Sequence, residues 1–159
     1  MVVKKIIPLV SITASLLAVV LLVWFFLHPM SAAKQITQVQ IGATTIAVEV
    51  ADTEGLREQG LSGRASLAEG SGMLFVFDMP QTPGFWMKDM NFSLDMLFVD
   101  ASGKIVTIDQ NLSPATYNAQ NPQASQVFRP SSPVRYVLEV PAGFAAQRGI
   151  AVGQVMQLQ

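Results

Sequence analysis

The chain contains no cysteine at all. That absence excludes disulfide staples, thiolate metal sites and cysteine nucleophiles, and it also excludes a lipid-anchored lipoprotein, which needs a cysteine to carry the lipid. Histidine is almost as scarce, with His28 the single example, and it stands at the end of the apolar leader. A Ser-His-Asp triad, a histidine-ligated zinc or a histidine general base therefore cannot be assembled in the remainder of the chain. Charge is thin: beyond Lys4 and Lys5, eight Lys/Arg stand against eleven Asp/Glu, a net of −3 with no basic cluster. This mild acidity argues against nucleic acid and anionic membrane surfaces as partners. Calcium-loop spacing of carboxylates is missing too, so no metal and no cofactor is expected. Asp95 and Glu139 together could hold a hard cation, and nothing else in the chain supports one.

The leader is rich where the rest is sparse. From Ile6 to Leu27 run 22 residues without a charge. As a helix they span roughly 33 Å, matching the hydrocarbon core of a bilayer. Lys4 and Lys5 before it place the N-terminus on the cytoplasmic side and everything after His28 outside. Ser31-Ala32-Ala33 offers small residues for signal peptidase, so cleavage near Ala33 is the alternative, although the apolar stretch exceeds the usual signal core of about 7–15 residues. The expected organisation is a membrane anchor or signal segment over 1–33 and one extracytoplasmic domain over 34–159. The latter, about 125 residues, is long enough for one modest core.

Within that domain the pattern is mainly β. Thr, Val and Ile enrichment and the Ile46/Val48/Val50 alternation predict a hairpin, Gln35–Ile41 and Thr44–Ala51, around Gly42. Thr53 reads as an N-cap and Gly60 as a stop, bracketing a short helix Glu54–Gln59. Met73–Phe77 is a continuous apolar strand, and Phe85–Lys88 is read as a further extended arm after the Pro80, Pro83 and Gly84 turn. Phe92–Val99 alternates, with Phe92, Leu94, Met96 and Phe98 on one face and Ser93, Asp95, Leu97 and Val99 on the other. Lys104–Asp109, Val134–Val140 and Val152–Leu158 read as strands, and Pro141 opens a helix Ala142–Arg148. Residues 110–133, rich in Pro, Asn and Gln, form a long loop of the kind that serves as lid, binding loop or disordered insert, with Tyr117 and Phe128 as its tacks. The expected architecture is a small, partly open β-barrel-like domain with two short helices, preceded by a transmembrane helix.

The densest stretch, Gly72 to Val99, also holds the residues a core does not require. Asp95 sits among apolar neighbours, so a cation (Lys88, Arg64 or Arg135) or several hydrogen-bond donors must meet it. In Phe85-Trp86-Met87-Lys88, alternation puts Trp86 beside Lys88, where they could wall a pocket for a flat or sugar-like ligand with a polar or anionic group. Arg135 and Glu139 share a strand face about 13 Å apart at ~3.3 Å per residue, so each needs a partner from elsewhere. Glu139 caps the helix after Pro141, pairs with Lys88, or joins Asp95 as an acid–base couple. The ligand-site expectation is therefore Trp86, Lys88, Asp95 and Glu139, with Arg64 and Arg135 balancing the patch.

These residues coincide with a pattern. Gly60-Leu61 with Arg64, Gly72-Met-Leu-Phe75, Phe85-Trp-Met-Lys88, Leu94-Asp95, Gly103-Lys-Ile105, Tyr136-Val-Leu-Glu139 and Gly143 appear in order. From about Gln35 to the C-terminus the chain thereby resembles domain of unknown function family 192. The resemblance implies a small extracytoplasmic or membrane-anchored, mainly β domain, and no established activity. Two positions depart from the family pattern: Asp89 stands where Asn is common, and Gly153-Gln154 replaces a Gly-Asp pair. The functional expectation is a membrane-anchored binding module for a small polar ligand. Its alternatives are an accessory protein whose partner the sequence does not name, and a hydrolase or lyase using the two carboxylates.

Overall fold

The computed structural model describes residues 36–159. The membrane-spanning helix expected over Ile6–Leu27 lies outside them, and among the described residues no helix is long and apolar enough to cross a membrane. Seven strands form one sheet: β1 (Gln38–Ile41), β2 (Thr44–Ala51), β3 (Ser71–Gln81), β4 (Leu94–Val99), β5 (Ile105–Leu112), β6 (Val134–Pro141) and β7 (Met156–Leu158). Helix α1 (Glu54–Gln59) follows β2 and helix α2 (Phe144–Gln147) follows β6. The strand order is β5-β4-β6-β3-β2-β1-β7.

Local chemistry sets the connections. Gly42, at φ 58°, lets β1 fold directly back on β2. Strands β2 and β3 are parallel, so the chain must cross back between them, and α1 lies in that crossover. Thr53 caps α1 by accepting the Leu56 N–H at 3.3 Å, and Gly60 ends it at φ 49°. The two sheet edges meet at one end: Ile105 N donates to the Gln154 carbonyl, Gly153 N to that of Ile105, and Met156 N to that of Gly103. The sheet is thus a curled half-barrel whose edges touch, mainly β with two short helices.

A separate core lies on each face. The interior core takes residues from all seven strands, among them Val39, Ile46, Leu74, Leu97, Ile105, Leu138 and Met156, and is plugged by Phe144 and Ala145 of α2. The outer core packs Met73, Phe75, Met96, Phe98 and Val137 under Leu61, Met87 and Phe128 from the connecting segments. Strand β4 is covered on both faces, which explains why all six of its residues are buried and why its sequence is an almost unbroken apolar run.

Several expectations are corrected. Phe85–Lys88 is not a strand: Phe85 makes a single bridge to Phe128, with reciprocal bonds of 2.9 and 2.8 Å, because only that point of the 110–133 segment comes alongside it. In the sheet β6 runs between β3 and β4. Strand β3 continues past Phe77 to Gln81, and Pro141 ends β6 instead of opening a helix, with Gly143 at φ 80° as the residue before α2. The 110–133 segment first completes β5 through Leu112. It then makes two 3-10 turns, held by Gln126 N to the Thr116 carbonyl at 2.9 Å and Asn118 N to Ser125 Oγ at 2.9 Å.

Candidate functional site

The outer face carries a pocket of about 540 Å³ between α1, the end of β3 and the Pro83–Met90 segment. Its walls are aromatic and aliphatic: Phe75 and Phe77 from β3, Phe85 and Trp86 from the segment, and Leu61 after α1. Phe85 packs edge-on between Phe75 (5.0 Å between ring centroids) and Phe98 (6.0 Å). Trp86 turns outward, 52 % exposed, and meets Tyr117 of the long loop edge-on at 6.3 Å. The alternation read across Phe85–Lys88 holds only in part: Met87 is buried in the outer core and Trp86 and Lys88 stand at the pocket, but Phe85 joins them there.

Glu139 also borders this pocket. It lies on β6 opposite Met73 of β3 and Met96 of β4, so its side chain points into the outer face between two methionines. It is 5 % exposed. No side chain or backbone group among the described residues bonds its carboxyl, and no fully buried polar side-chain atom there lacks a partner. Its oxygens must therefore meet whatever fills the pocket. Burial pushes its pKa up to about 8, so the acid holds its proton at neutral pH.

Asp95 has a different fate. Its strand partner is Val140, one residue on from Glu139, so it points to the opposite face, into the barrel interior. It is completely buried, and three backbone donors meet it: Asn111 N (2.9 Å) and Gly143 N (3.0 Å) on Oδ1, and Ala145 N (2.9 Å) on Oδ2. It thus ties the start of α2 to the end of β5, with Asn111 at φ 55° presenting its N–H. Several donors satisfy this carboxylate, and among the described residues no cation does. Asp95, not Glu139, serves the helix after Pro141, and Glu139 does not pair with Lys88. The carboxylate couple expected for acid–base chemistry is not assembled, because the sheet stands between its two members.

The two arginines lie away from the pocket lining. Arg64 makes a two-pronged contact with Glu49 on β2, at 2.6 and 2.8 Å. Hydrogen bonding by Arg64 holds the Glu49 carboxyl below its usual range. Arg135 is exposed at the start of β6, 6.0 Å over the Tyr136 ring. The sequence reading did not include the contribution of α1. Glu54, Arg57 and Glu58 line the mouth, and Arg57 Nη1 donates to the Asp52 and Val76 carbonyls while its guanidinium lies 5.4 Å over Phe77. The available signal was that Glu54–Gln59 carries one apolar side chain, Leu56, and so no apolar stripe to bury, and the structure leaves all six residues unburied. Among the described residues no group of His, Cys, Asp or Glu is placed to hold a metal ion.

The model of the family DUF192, described as "Uncharacterized ACR", matches residues 36–158. The chain belongs to that family. Two crystal structures share the fold. One, from Sinorhizobium meliloti 1021, is provisionally named a transcription regulator. It is 31 % identical at a TM-score of 0.68, over 80 % of this chain and 97 % of that one. The other, a protein of unknown function from Novosphingobium aromaticivorans DSM 12444, is 28 % identical at a TM-score of 0.67, over 82 % and 89 %. No curated protein matches. The two departures from the DUF192 pattern have local accounts. Asp89 takes φ 54°, a left-handed conformation that Asn and Asp adopt more readily than other side chains, and its carbonyl accepts the Gly63 N–H at 2.8 Å. Gln154 Oε1 accepts the Ala151 N–H at 3.2 Å, so the last turn keeps a side-chain acceptor.

Proposed function

We propose that this DUF192 domain is a binding module held outside the cytoplasmic membrane by the Ile6–Leu27 segment. Its ligand is a small molecule with an apolar body and a polar group. The apolar body packs among Phe75, Phe85 and Trp86, and the polar group reaches Glu139. The observation that carries this reading is Glu139: a carboxyl buried to 5 % exposure, with no partner among the described residues, bordering a pocket of about 540 Å³. An acid placed so is costly to the fold, and a pocket of this size suits a small ligand. Asp95, Arg64 and Arg135 have structural partners and take no part in the revised site.

The charge balance gives no support to a nucleic-acid role of the kind suggested by the provisional name of the Sinorhizobium protein, since eight Lys/Arg face eleven Asp/Glu after Lys5 without clustering. The experiment is a thermal-shift screen of the full-length chain against a small-molecule library, with Trp86→Ala and Glu139→Gln run in parallel. Compounds that raise the wild-type midpoint and leave both variants unmoved support the reading. Hits that stabilise all three proteins equally bind elsewhere, and a screen composed only of these would refute it.

A further inference from the structure

We infer that the ligand of this pocket is an organic cation, an ammonium or quaternary ammonium group on an apolar body, which sits against the Glu139 carboxylate within the aromatic walls. The inference rests on the binding reading above and narrows its ligand class. It reverses the polarity expected from sequence, where Lys88 stood as an anion anchor.

Three observations carry it. The deepest polar group in the pocket is an acid, and its neighbours across the sheet, Met73 and Met96, bring no donor to it. The walls carry the aromatic rings of Phe75, Phe77, Phe85 and Trp86, whose faces attract a cation. The third concerns the remaining charges at the pocket. From α1 come Glu54, Glu58 and Arg57, and from the Pro83–Met90 segment Lys88. Arg57, the group best suited to an anion, has its Nη1 on two backbone carbonyls and its guanidinium over Phe77. Lys88 is exposed and shares the pocket lining with the two exposed carboxylates of α1, Glu54 and Glu58. The lining thus holds three carboxyls, two exposed and Glu139 buried, against Lys88 and an already engaged Arg57.

The chemistry fixes how such binding responds to pH. The empty site holds a proton on Glu139, and a cation takes that proton's place, so one proton leaves to solvent as the ligand binds. With the acid's pKa at about 8, the ionised fraction falls from about one half at pH 8 to about one hundredth at pH 6, and affinity for a permanently charged cation falls about fifty-fold with it. An anion accepting a hydrogen bond from the protonated acid would show the opposite trend.

The test titrates the full-length chain in detergent micelles with three probes of similar shape: benzyltrimethylammonium, benzyl alcohol and phenylacetate. The readout is the Trp86 indole signal, told from that of Trp24, the other tryptophan, by a Trp86→Phe variant. Calorimetry in two buffers of different ionisation enthalpy counts the released proton. The expected result is that benzyltrimethylammonium binds tightest and weakens about fifty-fold between pH 8 and pH 6. It should release close to one proton at pH 6 and lose at least about tenfold in Glu139→Gln. Lys88→Gln, a change at an exposed position that leaves the core alone, strengthens it about two- to fivefold. Tighter binding of phenylacetate or benzyl alcohol overturns the cation class and leaves the pocket reading standing. Cation binding that ignores both pH and Glu139→Gln also overturns the class. Silence of the Trp86 signal toward all three probes at millimolar concentration overturns the inference and the pocket reading together.

Discussion

Replacing Glu139 by Gln separates what the acid costs the fold from what it does in the pocket. Glutamine keeps the shape of the protonated acid and cannot ionise. In the folded protein burial holds the Glu139 pKa at about 8, while in the unfolded chain it returns to 4.5. Below 4.5 both states carry the proton, and the acid's contribution to stability is fully present. Between 4.5 and about 8 the unfolded chain gives up its proton and the folded chain keeps it, so stability falls by about 1.4 kcal/mol per pH unit. Above about 8 both states are ionised and the slope vanishes. The whole window sets a ceiling of about 5 kcal/mol, and water reaching the carboxyl through the pocket lowers the expected difference to about 2–4 kcal/mol.

For a domain of this size each kcal/mol moves the unfolding midpoint by roughly 3–6 °C. Calorimetric scans of both proteins should coincide near pH 4 and diverge as pH rises, with Glu139→Gln higher by at least about 6 °C at pH 8.5. Glu49 and Asp100, whose carboxyls sit below their usual range, and Asp109, whose carboxyl burial raises, titrate in both proteins and cancel in the difference. A gap between the two midpoints that stays constant from pH 5 to pH 9 would refute the assignment of Glu139 as a buried, unpartnered acid.

Asp95→Asn turns one acceptor oxygen into a donor facing a backbone N–H, at a cost of about 2–4 kcal/mol, and should lower the midpoint by at least about 6 °C. A shift under about 3 °C in a thermal melt would show that the three backbone bonds contribute little. Gly72→Ala places a Cβ 2.8 Å from the Glu139 carbonyl oxygen, a backbone atom that cannot swing aside, and should cost about 1–3 kcal/mol in urea unfolding. Arg64→Ala removes an ion pair whose side chains are 36 % and 59 % exposed, so its unfolding free energy in urea should change by no more than about 1 kcal/mol, and ligand binding at the pocket should not change.

Much of the local structure was legible because single residues decide it. Thr53 and Gly60 bounded α1 correctly, Gly42 marked the first hairpin, and the alternation from Leu94 to Val99 assigned both faces of β4. Asp95 was expected to meet either a cation or several donors, and of these two the backbone donors are what the fold supplies. What depended on pairing between distant segments was not legible. The position of β6 between β3 and β4 follows from the packing of the whole sheet, and no local signal carries it. Without it, nothing said whether the Asp95 face of β4 and the Glu139 face of β6 look the same way. A one-residue difference in register would have set them side by side, and the observed register sets them back to back. Pro141 misled for a related reason: proline suits the start of a helix, but it is equally tolerated at the end of a strand, and Gly143 supplied the turn instead.

The residues that mark the DUF192 pattern in this chain divide by what the fold asks of them. Gly72 lets β3 approach the backbone of β6, and Gly103 lies at φ 87°, where a side chain would strike the Met156 carbonyl. Gly143 turns the chain at φ 80° into α2, Asp95 ties that turn down, and Arg64 pairs with Glu49. Each of these has a structural duty. The side chains of Trp86, Lys88 and Glu139 are held less: the first is half exposed and touches only Tyr117 among the rings, the second is exposed, and the third is a buried acid with no partner among the described residues. A sequence selected for stability alone would place an apolar residue at Glu139, between Met73 and Met96, and would gain from it. The three come from two segments far apart in the chain, yet all border one pocket. That convergence is what a binding function predicts and a purely structural one does not.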